Sequence, residues 1–193
     1  AYARDRAFGV LATNGPQGPL VSHIPFLLDD DGKTIWLHLV RSNPIARLLK
    51  EGPQEARIAV SGPDSYISPD WYDVPDQVPT WNYVAIHLTG SLELRPVEEL
   101  RATLDAQSAL YEDRLLPKTP WTTEKMTPAA LDKMMRMIVP CKMQISDVDA
   151  TWKLNQNKPD DVRLRAADHV DGYGLGHEVQ LLSAMMRGAG MDS

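Results

Sequence analysis

Two apolar-rich runs, FGVLAT (8–13) and LVSHIPFLL (20–28), flank the polar stretch NGPQGP, a pattern that predicts a strand, a turn and a second strand. Asn14-Gly15 is expected to supply positive φ in that turn. Pro25 donates no ladder hydrogen bond, so it implies a bulge or an edge in the second strand. DDDGK (29–33) predicts a hairpin turn on Asp31-Gly32, with TIWLHLV (34–40) returning, so the first third is a β-meander. The period then changes. Within SNPIARLLKEG (42–52), Ile45, Leu48 and Leu49 share a helical face, Asn43 suits the cap, Pro44 the first helical position and Gly52 the end. ARIAVSG (56–62) predicts a strand, and TWNYVAIHLTGSLELR (80–95) a long one in which Val84, Ile86 and Leu88 alternate until a break at Gly90. From Pro96 a helix carries Val97, Leu100 and Leu104 to about Leu110, and LLPKTPW (115–121) connects it onward. Thr127-Pro128 opens a helix with Leu131, Met134, Met135 and Ile138 on its apolar side. CKMQISDVDATWKLN (141–155) predicts a late strand, and helices beginning at Pro159 and spanning 177–186 close the chain, separated by a break at GYGLG (172–176). Strands crowd the first half and helices the second, while the late strand must return to the sheet. The pattern is α+β, a β-barrel with helices packed on its outside.

Charge and composition narrow the partners. The net charge is −6, from 20 Lys and Arg against 26 Asp and Glu. That balance opposes a whole-surface nucleic-acid binder while leaving room for a local basic pocket. A single cysteine, Cys141, forms no intramolecular disulfide and suits a reducing, cytoplasmic setting. No apolar run approaches the roughly 20 residues of a membrane span, so no membrane partner is expected. No basic-then-apolar leader opens the chain, and its abrupt AYARDRAFG start is read as helix-like with residues missing in front.

The candidate chemistry is uneven. YISPDWYDVPDQVPTWNY (66–83) gathers Tyr66, Trp71, Tyr72, Trp81 and Tyr83 in a proline-broken loop. Such a loop is a poor place to bury rings for stability alone and a good place to frame a flat ligand or a partner subunit. The histidines, His23, His38, His87, His169 and His177, lack zinc-site spacing, so no metal is assigned. Cys141 is read as a buried, inert thiol. GYGLGHE lacks a preceding strand and the dinucleotide spacing, and serine-hydrolase signatures are absent. At Arg41-Ser42-Asn43 a strand runs into a helix start, combining a guanidinium fork, short polar donors and free N–H groups. That set suits a phosphate; the alternative is an ordinary capped helix with a solvent-facing arginine. TWKLNQNKP (151–159) carries Lys153, Asn155, Gln156, Asn157 and Lys158, with Trp152 and Leu154 alternating between them. One face is then buried while the other offers donors; the alternative is a solvated loop.

SHIPFLLDDDG, LHLVRSNP, YISPDWY, VPTWNYVAIHLTG and WKLNQNKP, in this order from about Phe8 to about Pro159, resemble the PaiB-like FMN-binding negative transcriptional regulators. The family has a short segment before the FG strand that is truncated here. The resemblance implies a single split β-barrel domain over 1–193, of the flavin-reductase and pyridoxamine-phosphate-oxidase type, with a helical extension from about 159. It implies a homodimer with FMN between the subunits. One phosphate-binding element of the superfamily falls on the VSHIPFLL strand, where Ser22 and His23 replace the usual Arg and Lys. The other falls at Arg41, Ser42 and Asn43. The cofactor-binding candidates are Ser22, His23, His38, Arg41, Ser42, Asn43, Trp81, Asn82, Gln156 and Lys158.

No helix-turn-helix with a basic reading helix is present, and the acidic balance opposes direct DNA binding. No general acid or base stands out, and a flavin can carry redox chemistry itself. Two other functions fit the same fold: a flavin-dependent oxidoreductase using NADH or NADPH, and a haem-binding split barrel with His23, His38 or His87 as axial ligand.

Overall fold

The computed structural model describes residues 1–189. After a short helix α1 (Tyr2–Arg6), the chain forms β1 (Phe8–Gly15), β2 (Gly18–Pro25), β3 (Leu27–Leu28), β4 (Thr34–Val40), α2 (Pro44–Leu48), β5 (Gln54–Ile67) and β6 (Thr80–Leu94). Then follow α3 (Leu100–Glu112), α4 (Pro128–Met135), β7 (Ile138–Lys153), α5 (Asp160–Tyr173) and α6 (Val179–Gly188). The strand order is β2-β1-β5-β6-β7-β4-β3. The chain divides into two compact units, one of residues 1–60 and 87–148 and one of residues 61–86 and 149–193, so β5, β6 and β7 each run from one into the other.

The first unit holds the barrel core. β1 pairs antiparallel with β2, Phe8 opposite Pro25 and Gly15 opposite Gly18, and with β5, Val10 opposite Ala59. β4 pairs antiparallel with β7, Thr34 opposite Gln144 and Val40 opposite Ile138. Alternation along these strands sends Leu11, Ile24, Ile35, Leu37, Leu39, Ile58, Leu88 and Leu92 into one interior, all fully or nearly fully buried. Pro25 ends β2 at one edge of the sheet, as its missing N–H requires. Asp31-Gly32 turns the β3–β4 hairpin, Gly32 at φ 69°.

The first hairpin differs from expectation. Asn14 and Gly15 are paired in the ladder opposite Pro19 and Gly18, the turn is at Pro16-Gln17, and Gly18 takes the positive φ, 121°. Gly90 does not break β6 either. There β7 backbone approaches closely: a Cβ at Gly90 would lie 2.1 Å from the Gln144 carbonyl oxygen. A side chain is excluded, and the strand continues through to Leu94.

In the second unit, α5 and α6 pack on each other through Val162, Ala166, Val170, Leu182 and Met186, all buried. Buried Arg163 fastens them by donating to the Met186 and Arg187 carbonyls and to Asp160. The α5–α6 connection is stapled to β5 by Tyr66 N–H to the Leu175 carbonyl, 3.0 Å, and by mutual backbone bonds between Asp64 and His177.

Candidate functional site

The junction of β4 and α2 is built by Asn43. Its Oδ1 accepts the Ile45 N–H at 2.9 Å and caps the helix, while its Nδ2 donates to Ser22 Oγ at 3.0 Å on β2. One amide therefore terminates β4, starts α2 and ties both to the edge strand. The helix start offers fewer free donors than expected, since Pro44 has no N–H and the Ile45 N–H is consumed by the cap. The side chains supply them instead. Ser22 Oγ accepts from Asn43, which leaves its own proton to donate elsewhere. Exposed Arg41 gives its Nε–H to the Arg136 carbonyl at 2.6 Å, and its terminal nitrogens keep their donors. Ser42 is exposed beside it. Ser22, Arg41 and Ser42 each keep donors of the kind a phosphate monoester accepts.

The remaining candidates in this unit are placed differently. His23 is exposed on β2 and stacks on Phe8, centroids 6.5 Å apart. His38 points off β4 toward α3, Nδ1 3.0 Å from Gln107 Oε1. Burial holds its imidazole below the usual value, and the bond to Gln107 partly offsets this. Gln107, 5% exposed with Nε2 unpartnered, was not singled out in the sequence. The available signal was a polar residue seven positions after Leu100 on the same helical face.

In the second unit the aromatic stretch is mostly not a loop. Tyr66 lies on β5, Trp71 and Tyr72 on a single 3₁₀ turn (Pro69–Tyr72), and Trp81 and Tyr83 on β6. The rings are also covered unequally. Tyr72 is buried at 1% exposure, its hydroxyl on Asn155 Oδ1 at 3.3 Å and the Lys158 ammonium 4.2 Å from its ring centre. Trp71 stacks on His169, centroids 5.6 Å apart. Trp81 and Tyr83 stay open, at 47% and 36% exposure, Trp81 meeting Tyr66 edge-on.

Asn82 is fully buried, its Nδ2 3.5 Å from Met186 Sδ and its Oδ1 without a partner. Gln156 closes its own turn, accepting the Leu154 N–H and donating to the Trp152 carbonyl. Lys158 donates to Gln77 at 2.6 Å. Leu154 is buried as expected of the alternating pattern, whereas Trp152 is 39% exposed.

Residues 1–147 match the family described as "Putative FMN-binding domain". The chain belongs to this family. FMN is accordingly its cofactor. The chain is 31% identical over 159 residues to "Protease synthase and sporulation protein PAI 2" of Bacillus subtilis (strain 168), covering 81% of this chain and 75% of that one, so it is PaiB-like. Among solved structures it is similar to the FAD and heme binding protein from Mycobacterium smegmatis, with a TM-score of 0.55 at 18% identity, covering 89% of this chain and 75% of that one. It is also similar to the conserved hypothetical protein Rv2991 from Mycobacterium tuberculosis, with a TM-score of 0.53 at 20% identity, covering 79% and 81% of the two chains. The fold is an α+β split barrel with peripheral helices. No helix among the described residues is long and apolar enough to cross a membrane.

Proposed function

We propose that this PaiB-like protein works as a cytoplasmic homodimer in transcriptional regulation, holding the FMN phosphate on Ser22, Arg41 and Ser42. The observation that carries the phosphate assignment is the double role of Asn43. By capping α2 and holding Ser22, it fixes the two donor-bearing segments, β2 and the β4–α2 junction, to each other before any ligand arrives. Bound FMN supplies a redox-active isoalloxazine. The chain's own part is to bind and orient it. Arg41 contributes a forked, permanently charged donor, and Ser22 and Ser42 contribute hydroxyls.

Two surfaces support the dimer. On the outer face of the β1–β2 hairpin, Phe8 and Val21 are 53% and 58% exposed beside half-buried Val10 and Ala12. In the second unit, Trp81 and Tyr83 are open on one face of β6. Contiguous apolar surface of this kind is covered in a closed two-fold assembly. The acidic balance, −6, supports regulation without tight, unaided contact to DNA.

The test is to release the cofactor from the purified protein, weigh it, and measure the particle mass by light scattering. FMN and twice the chain mass are expected. A different cofactor mass overturns the FMN-phosphate reading, and a particle of one chain mass, 21.5 kDa, overturns the dimer. Titration of a labelled upstream DNA fragment at about physiological salt completes the test. A dissociation constant of roughly 10⁻⁸ M or tighter would restore direct DNA binding.

A further inference from the structure

The helix α3 does not close over the sheet beneath it. The α3 residues that lie over Leu27 and Trp36 beside Glu99 are small, Ala102, Thr103 and Ala106, and they leave an open cleft of about 360 Å³. That volume lies at the lower end of the range for small-molecule sites, about 300–1,000 Å³. A helix packed for stability alone would fill such a space with leucine or isoleucine.

The floor is preorganised. Leu27 and Trp36 are directly opposite each other in the β3–β4 ladder and so share a face. The indole is held by its N–H, which donates to Asp29 Oδ2 at 3.1 Å, and by Lys142, its neighbour across β7, whose ammonium is 5.9 Å from the ring centre.

The polar groups of the wall are already engaged. The Trp36 N–H is taken by Asp29, the Thr103 hydroxyl donates to the Glu99 carbonyl at 2.9 Å, and the Glu99 carboxylate accepts two bonds from Arg95, at 2.8 and 3.0 Å. Apart from Asp29 and Glu99, what lines the space is an indole, a leucine, two alanines and a threonine. An anion entering would meet Asp29 and Glu99. A cation would meet the Asp29 carboxylate, which the neutral Trp36 N–H engages, but would find Glu99 already paired with Arg95 and would approach the ammonium of Lys142. A neutral ring loses nothing there and gains a stacking partner.

We infer that the α3–β4 cavity is a binding site for a small, uncharged aromatic molecule stacked on Trp36, separate from the FMN-phosphate donors. The site is assembled wholly from side chains of the first unit and does not rest on the FMN reading.

The test titrates the FMN-loaded protein with 2-naphthol, with 2-naphthoate and 2-(aminomethyl)naphthalene as charged probes of the same shape. Binding is followed by calorimetry and flavin retention by visible absorbance. Saturable binding of 2-naphthol is expected, at least tenfold tighter than either charged probe. Ala106→Leu should weaken it at least tenfold by filling the space. That helical position is exposed and leucine is a strong helix former, so the variant is expected to fold. Trp36→Phe should keep part of the affinity, since a ring remains to stack on.

Absence of saturable binding, preference for a charged probe, or undiminished binding by Ala106→Leu overturns the proposal. Release of flavin in step with 2-naphthol uptake also overturns it, because the probe would then occupy the cofactor site. If Ala106→Leu instead halves the particle mass, a second copy of the chain covers this face and the proposal fails.

Discussion

Replacing Arg41 by alanine separates the phosphate reading from the fold. The side chain is exposed and, among the described residues, makes one hydrogen bond, its Nε–H on the Arg136 carbonyl at 2.6 Å. Losing that solvent-accessible bond costs little stability, about 0.5 kcal/mol at the low end for a hydrogen bond. On the proposed reading its terminal nitrogens, in contrast, hold the FMN phosphate. Removing a charge-assisted contact costs about 1.5–3 kcal/mol, or roughly ten- to a hundredfold in affinity. Arg41→Lys should fall between wild type and alanine, because an ammonium keeps the charge without the fork that engages Arg136 and phosphate together. The assay is quenching of flavin fluorescence by the apoprotein, run in parallel with FMN and with riboflavin, which shares the ring system and lacks the phosphate. Arg41→Ala should lose FMN affinity and leave riboflavin affinity unchanged, and the FMN difference should shrink as salt is raised. Unchanged FMN affinity, or an equal loss for both flavins, would refute the assignment.

Other positions make independent predictions. Gly90→Ala should destabilise the protein by about 3 kcal/mol, the upper end for overpacking, because the new Cβ meets the backbone oxygen of Gln144 and not a movable side chain; a urea midpoint equal to wild type would remove the close-approach argument. Burial pushes the Cys141 thiol up to about 12, so a thiol-specific reagent at pH 8 should react only as fast as the chain unfolds. Because the unfolded thiol ionises first, at about 8.5, stability should also fall as pH rises from there toward about 12. His38 has the opposite sign: its pKa is lowered by burial, so stability is full above the unfolded value of about 6.5 and is lost as pH falls below it toward the folded pKa. Urea midpoints from pH 8 to pH 5 should show a shallower acid decline in His38→Gln than in wild type, and identical slopes would show that the buried pair with Gln107 is not responsible.

Much of the fold was legible because period and punctuation are local. The spacing of Ile45, Leu48 and Leu49, the cap at Asn43 and the stop at Gly52 are settled within one short segment, and the structure has them where the sequence places them. Positions decided by a partner far along the chain were not legible. Gly90 looked like a strand breaker because its neighbour, Gln144, lies 54 residues away and leaves no trace in the local pattern. Asn14-Gly15 has the strongest local turn preference in its stretch, yet the turn falls at Pro16-Gln17, since pairing Asn14 with Pro19 and Gly15 with Gly18 keeps Leu11 and Ile24 on the core side. Register fixed by buried residues outweighs dipeptide preference.

The same distinction applies to the candidate binding residues. Arg41, Ser42 and Asn43 are neighbours in sequence, so the polar strand-to-helix junction and its Asn43 cap could be read directly. Ser22 joins them only through its bond to Asn43, 21 residues away, so its part had to come from the family resemblance. In WKLNQNKP a dense run of donors looked outward-facing, but a donor's destination depends on what surrounds it. Gln156 spends both ends of its amide on the turn it sits in, Lys158 reaches Gln77 and the Tyr72 ring, and Asn155 is buried in a left-handed conformation, φ 61°, with the Tyr72 hydroxyl on its oxygen. These bonds hold the 3₁₀ turn bearing Trp71 and Tyr72 against the end of β7. Asn155 Nδ2 and Asn82 Oδ1 remain buried without partners, each costing about 1–3 kcal/mol of unrecovered desolvation. A leucine would fill Asn82's setting beside Met186 with no such penalty, and among the described residues nothing uses the amide's oxygen. Asn82→Leu should therefore raise the unfolding free energy, and a lowered one would mean that the oxygen has a partner, such as a bound water, that the leucine displaces.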